Sequence, residues 1–324
     1  MLALRAEGLY CPAGDFYIDP WAAVPRAVVT HAHAVPAGAL AGAYLTAEPG
    51  NELLHSQVRP RASIETLDYG ERHTVGDVLL SFHPAGHILG SAQVRLEHAG
   101  QVWVVSGHYK LAPDPTCDPF EPLRCHTFVT EATFGLPVFR WRDAGEVGDL
   151  IHGWWRANQL AGRTSLLFAH PMGQAQRLLA MLDPSVGPIC THESVESVTA
   201  IYREQGIALA PATSAAAAGD WRRALVLAPP SAHGSAWERR FGPASTAIAS
   251  GWMRIRGTRR RRSLDRGFVF SDHADWPALL RAVEETRAER VWATGGFRAP
   301  LARWLQERGR EAIAVETPPE EAEP

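Results

Sequence analysis

The chain has 324 residues, a formal net charge of −3 and 46% hydrophobic residues, enough apolar material for one large or two modest cores, which excludes a disordered or fibrous protein. No apolar run approaches the ~20 residues that a bilayer span needs, so no membrane role is expected. The four cysteines (Cys11, Cys117, Cys125, Cys190) lack C-x-x-C spacing, and no N-terminal segment combines a basic end with an apolar stretch and a cleavage site, so a reduced, cytoplasmic protein is expected.

In chain order, the first segment alternates short apolar runs with turns: FYIDP, RAVVTHAHA, VLLSFHPAGH, AQVRLEHAG, QVWVVSGHY and TFVTEATFG. Runs of this length, rich in Val, Leu, Phe and Thr and bounded by Gly, Pro and Asp, read as strands. Each strand end carries a histidine or an acid, the place where a rigid sheet holds a reactive cluster. From about Arg140 the pattern changes to helices alternating with buried strands. AGEVGDLIHGWWRANQLAG is a helix capped at Gly162, TSLLFAH a strand, GQAQRLLAMLD a helix opening at Gly173, PIC a strand, ESVESVTAIYREQG a helix and RALVLAPP a strand. This reads as a separate parallel α/β layer. PATSAAAAGDW reads as a surface connection. After Pro243, TAIASGWM, RGFVFSDHADW and RVWATGGF return to strands ending in polar residues, and the acidic tail ETPPEEAEP is expected to fray.

The chemistry starts at His31 and His33, an H-x-H pair at a strand end that can face one ion. Such a pair is weak evidence alone in a chain with 14 histidines. His87 in HPAGHILGS and His108 in VVSGHYK, each after an apolar strand, make a metal cluster the stronger reading. Basic residues are almost all arginine, with Lys110 the single lysine. Arg254, Arg256, Arg259, Arg260, Arg261, Arg262 and Arg266 form a run able to neutralise several phosphates; a solvated loop is the plainer alternative. Trp252, Trp154 and Trp155 are candidates for base stacking, although tryptophans so placed are more often core.

The phrases LYCPAGDFYIDPW, THAHA, SFHPAGHILGSAQVRLEHAGQVWVVSG, YKLAPDPTCDPFEPLRCHTFVTEATFGLP, ASGWM, FSDHADWP and RAPLARWL together resemble the ligase-associated DNA exonuclease group of the β-CASP nucleases, in the metallo-β-lactamase superfamily. The resemblance implies an α/β fold, an αββα sandwich with an inserted β-CASP cap. In this numbering the first part of the sandwich is 1–139, the cap 140–243, the completing part 244–316 and the tail 317–324. It implies two zinc ions that share a bridging carboxylate and together stabilise an in-line attack on phosphorus. His31, His33 and His87 match the imidazoles of the first zinc. At the second, Val35 and Pro36 stand where the motif H-x-H-x-D-H has aspartate and histidine, His108 replaces the bridging aspartate, and Gly295 replaces the last histidine. Four departures strike one metal and leave the other's ligands intact, so at most one zinc is expected. With His108 as a fourth ligand the site would be closed and structural; with His108 turned away, an open position would remain. Glu131 matches the acid that orients an imidazole, and His273 matches the histidine that meets phosphate. Asp272 and Asp275 are further candidates beside His273, and the alternative for either is a cap on the following helix around Trp276-Pro277. Gly173 and Gln174 fall in a turn that resembles a phosphate contact, with glutamine where the family usually has a basic residue. The resemblance implies DNA as partner, with RNA as alternative, together with an ATP-dependent DNA ligase and a helicase. Three functions stay open: an exonuclease with reduced activity, a nucleic-acid-binding pseudo-nuclease with at most one structural zinc, and a single-metal hydrolase of a less demanding ester.

Overall fold

The computed structural model describes residues 1–35, 41–59, 62–216, 221–255, 257 and 263–317. They form two units, one within residues 1–138 and 273–317, the other within 139–272.

The first unit holds two sheets. One is six-stranded, in the sequential order β1 (Ala3–Arg5), β2 (Gly8–Cys11), β3 (Phe16–Ile18), β4 (Val24–Val29), β5 (Ala41–Ala47), β6 (Ser63–Leu67). The other has seven strands: β7 (His73–Val75), β8 (Val78–Pro84), β9 (Ala92–His98), β10 (Gln101–Val105) and β11 (Thr127–Glu131) in sequence order, then β18 (Arg290–Thr294) and β19 (Glu311–Ala314). Alternation along the strands decides which side chains meet. On β8, Val78, Leu80 and Phe82 join Val94, Leu96, Trp103 and Val105 in one buried cluster with Phe16, Ile18 and Val28 of the first sheet. The two sheets therefore share an apolar core. On the other side of the seven-stranded sheet, Val104, Phe128, Val291 and Ala293 pack against Leu279, Ala282 and Val283 of one helix (Trp276–Thr286) and Leu301, Ala302 and Leu305 of another (Arg298–Gln306). Tyr17, Ala27, Val29 and Tyr44 of the first sheet cluster with Leu54 of helix α1 (Asn51–Gln57).

The second unit is built on one wholly parallel sheet in the order β14 (Thr213–Ser214), β13 (Ile189–Thr191), β15 (Leu225–Ala228), β12 (Thr164–Phe168), β16 (Ala244–Ala249), β17 (Arg266–Phe268). Burial on both faces explains the near-continuous apolar runs of β12 and β15. Leu167, Leu225, Leu227 and Ala247 pack under α2 (Ala144–Leu160) and α3 (Gln174–Met181), while Leu166, Phe168, Val226 and Ile248 face the opposite cluster with Phe241. The remaining helices are α4 (Glu193–Glu204) and α5 (Ala236–Arg239), followed in the first unit by α6 (Trp276–Thr286) and α7 (Arg298–Gln306).

Two expectations change. The return to the first domain is expected at 244, but β16 pairs in parallel with β12 and β17 with β16, so they complete the second sheet and the second unit runs to Asp272. The segment read as a surface connection contributes a short edge strand, β14; its residues 217–220 lie outside the described residues, as do 318–324 of the acidic tail. Among the described residues no helix is long and apolar enough to cross a membrane.

The loop carrying His87 is clamped by the segment that follows β10. Lys110 N donates to Ala85 O (3.1 Å) and Glu121 N to Pro84 O (3.2 Å). Lys110 and Asp114, each 2% exposed, form a 3.0 Å ion pair inside that segment. Gly86, at φ 74°, sits where a Cβ would collide with the Lys110 carbonyl oxygen. Gly86→Ala therefore combines a left-handed backbone with a backbone clash, and is expected to cost about 2–4 kcal/mol, read as a lower urea midpoint.

Candidate metal centre

Four imidazoles converge at the ends of strands in the first unit. His31 and His33 follow β4, His33 lying within a short 3-10 turn (Ala32–Ala34); His87 lies on the turn after β8, and His108 on the loop after β10. One ring nitrogen of each lies within 4.8 Å of the corresponding atoms of the other three. Nε2 of His87 and Nε2 of His33 are 2.8 Å apart, and the His31 ring centroid is 4.7 Å from that of His108.

Each ring is held by specific neighbours. Thr30 Oγ1 donates to Asp19 Oδ2 (2.6 Å), and Thr30 N donates to Asp19 Oδ1 (2.8 Å). Thr30 Oγ1 also stands 2.8 Å from His31 Nδ1. The hydroxyl has spent its one proton on the carboxylate, so the imidazole must supply the proton of this second bond, from Nδ1. That tautomer leaves the lone pair on Nε2, which is buried with no hydrogen-bond partner. Burial, followed by the neighbouring imidazoles His33, His108, His87 and His273, holds the His31 pKa well below its ordinary value. His31 is thus kept in the neutral form that ligates metals. Burial also pushes Asp19 up to about 6, against the pull of its two bonds from Thr30. The backbone at His87 is fixed by Ser91, whose Oγ accepts from His87 N (3.0 Å) and Ile88 N (3.2 Å).

Glu131, at the end of β11 and 3% exposed, ties the other side together. Its Oε1 accepts from Tyr109 N (2.8 Å), the residue after His108, and its Oε2 from Thr133 Oγ1 (2.7 Å). The same Oε2 lies 2.7 Å from His273 Nδ1. An ionised carboxylate only accepts, which assigns the Nδ1 proton of His273. The His273 ring centroid is 4.4 Å from that of His108 and 4.8 Å from that of His87.

The four imidazoles fit one ion, while His108, Glu131 and His273 form a further group of ligand atoms within 4.8 Å of one another, in which Glu131 and His273 already bond to each other. Four convergent imidazoles, one with an orphaned and buried lone pair, are a nitrogen site of the kind that zinc or another borderline divalent cation takes. Val35, by contrast, is 4% exposed and belongs to the apolar cluster of Tyr10, Tyr17, Val29, Tyr44 and Leu54. Gly295 has no side chain, and its backbone N donates to Thr317 Oγ1 (3.2 Å). His108 lies within the imidazole group, and an imidazole donates without bringing the negative charge of a carboxylate.

The other sequence candidates scatter. Pro36, Arg256 and Arg259 to Arg262 lie outside the described residues. Asp272 is buried as the last residue before His273, and Asp275 caps α6, its Oδ1 accepting from Ala278 N (3.0 Å). Arg254 is exposed and Arg266 stacks over Phe268. The expected nucleic-acid contact at Gly173 and Gln174 is corrected: Gln174 is 1% exposed and its Oε1 accepts from His170 N (3.0 Å), while Gly173 N donates to Gln176 Oε1 (2.8 Å). The turn satisfies its own donors with glutamine side chains. Trp154 and Trp155 are core residues, which removes them as stacking candidates. Sequence reasoning missed Asp19 and Ser91. The signal available for Asp19 was its place at the end of FYIDP, beside the strand that leads to His31.

No protein-family model matches the chain. It is 30% identical over 312 residues to a probable DNA ligase of Opitutus terrae, covering 96% of this chain and 30% of that protein. It is 30% identical over 124 residues to the endoribonuclease YSH1 of Saccharomyces cerevisiae, covering 37% of this chain and 15% of that protein. It is 32% identical over 128 residues to the transcription termination factor FttA of Pyrococcus horikoshii, covering 36% of this chain and 19% of that protein. The chain thus spans less than a third of the length of these curated relatives. A crystal structure of an Enterococcus faecalis protein of unknown function shares the fold, with a TM-score of 0.59 at 10% identity over 90% of this chain and 79% of that one.

Asp19→Asn should turn the Asp19–Thr30–His31 chain around: the amide NH2 donates to Thr30, whose hydroxyl then donates to His31 Nδ1 and moves the ring proton to Nε2. Zinc affinity, read by competition with a chromogenic chelator, is expected to fall roughly 10–100-fold with the fold retained by circular dichroism.

Proposed function

Because the chain belongs to the ligase-associated group of the β-CASP metallo-β-lactamase nucleases, we propose that it engages DNA in ligase-associated repair with phosphodiester hydrolysis reduced or lost. The observation that carries this reading is the pairing of four convergent imidazoles at one metal position with a buried, apolar Val35 at the other. His31, His33, His87 and His108 would hold one zinc ion, which supplies Lewis acidity at that point. Hydrolysis in this family draws on two ions that stabilise the entering and leaving oxygens together, and at the positions that supply the second this chain has Val35, Pro36 and Gly295, none with a ligating side chain. The two facing sheets with flanking helices support an αββα sandwich, and unit 139–272 supports the β-CASP cap inserted into it. Glu131 positions His273, and His273 is assigned the contact with a phosphate oxygen. Similarity along nearly the whole chain to part of a probable DNA ligase supports an ATP-dependent ligase as partner.

A second reading rests on His108. Its place within the imidazole group closes the coordination, and a closed site is structural rather than catalytic. The chain is then a nucleic-acid-binding pseudo-nuclease.

Elemental analysis of untagged protein purified without chelator is expected to find one metal per folded chain, and none in His87→Ala; two per chain, or unchanged content in the variant, would defeat the assignment. The combined Val35→Asp, Pro36→His, His108→Asp and Gly295→His variant is expected to bind a second ion. Its exonuclease rate should rise on the order of 100-fold, the equivalent of about 3 kcal/mol of transition-state stabilisation. Salt-sensitive DNA binding without turnover in the unmodified chain selects the second reading.

A further inference from the structure

The second unit carries two segments of matching composition, Trp221-Arg222-Arg223 and Trp237-Glu238-Arg239-Arg240, that meet on one buried side chain. The Phe241 ring lies 4.8 Å from Trp221 and 4.7 Å from Trp237, with Phe241 only 4% exposed. Both tryptophans are partly exposed, whereas Arg222, Arg223, Arg239 and Arg240 are all exposed. Arg240 is held in place: its guanidinium carbon is 4.9 Å from the Trp237 ring centroid and 5.1 Å from that of Phe241, and Nη2 donates to Ala215 O (3.2 Å). His192, at the end of β13, adds a ring 4.8 Å from Trp237. The one acid inside the two segments is turned towards its own loop, since Glu238 Oε2 lies 3.0 Å from His233 Nδ1 and accepts from Gly234 N.

We propose that this face of the second unit is a binding platform for single-stranded nucleic acid, with Trp237 and Trp221 stacking unpaired bases and Arg222, Arg223, Arg239 and Arg240 meeting phosphates. Resting on the nuclease-family reading above, the proposal adds a contact site remote in sequence from the histidine motifs and from the arginine run at 254–266. Two physical features select this occupant. Planar aromatic faces accept any unpaired base, and four exposed guanidiniums around them complement a backbone with one negative charge per nucleotide. A duplex offers its phosphates but keeps its bases stacked on one another, so it gains only the charge contribution. Pre-ordering of Arg240 on two rings lowers the entropy lost when it meets a phosphate.

The test uses the full chain and measures fluorescence anisotropy of a fluorescein-labelled dT20 strand and of the same strand annealed to dA20, across a salt series. Trp237→Ala is expected to weaken dT20 binding about tenfold and duplex binding less than twofold. Arg223→Gln with Arg239→Gln, which leaves the aromatic packing untouched, is expected to lower the slope of log affinity against log salt by roughly 1.4. Metal content should stay unchanged in both variants, and thermal melts followed by circular dichroism identify a folding defect in the tryptophan variant. If wild type binds dT20 and the arginine variant binds identically with the same slope, the platform is refuted while the nucleic-acid reading stands. Wild type that binds neither strand nor duplex refutes both. A labelled glutamate-rich peptide that binds more tightly than dT20 and is lost in the same variants would overturn the proposal in favour of an acidic protein segment.

Discussion

The close approach of Gly107 to Thr30 fixes the geometry of the metal centre. A Cβ on Gly107 would lie 2.5 Å from Thr30 Oγ1, and the glycine adopts φ 57°, so only glycine lets the loop after β10 pass this close to the end of β4. Thr30 O also accepts from Ala92 N (2.7 Å) at the start of β9. One threonine therefore joins the two sheets, receives the loop that carries His108 and, through Asp19, sets the tautomer of His31. Without this contact the four histidines would be strand-end residues on two separate sheets, sharing no point in space.

Charge gives the centre its character. A divalent ion held by four neutral imidazoles would keep its full charge, and the Glu131 carboxylate is committed to Tyr109 N, Thr133 and His273. On the family resemblance, His108 stands where a bridging aspartate is expected, and an imidazole there would not supply the negative charge that two neighbouring cations need between them. Packing runs the same way. Val35 is integrated among Tyr10, Tyr17 and Tyr44, where a carboxylate would have to be desolvated beside apolar rings. Val35 is accordingly a piece of the apolar core, while Asp19, Ser91 and Glu131 each hydrogen-bond within the segments that carry the imidazoles.

The second unit shows the same economy at a different scale. The turn at Gly173 resembles an anion-binding helix start, yet Gln174 and Gln176 fill its donors from within the chain. A glutamine amide oxygen can satisfy a backbone N–H where a lysine or arginine could not, and Gln174 and Gln176 do so at His170 N and Gly173 N. The cationic and aromatic surface of this unit lies elsewhere, on the segments that bracket β15.

The sequence by itself determined the element types and the ligand list. Alternating and continuous apolar runs specify strands because burial of one or both sheet faces is set by side-chain order along the chain, and His31, His33, His87 and His108 were legible as strand-end residues. The family resemblance supplied Glu131 and His273. Tertiary structure alone decided which strand belongs to which sheet: β16 and β17 carry no local mark that distinguishes pairing with β12 from a return to the first unit, since backbone hydrogen bonding is indifferent to sequence. It alone decided that His108 joins the other imidazoles, that Asp19 reaches His31 through Thr30, and that Val35 and Gln174 face inward. Those outcomes depend on contacts between residues far apart in the chain, and the chain's linear pattern encodes only which faces are apolar, not which partners they find.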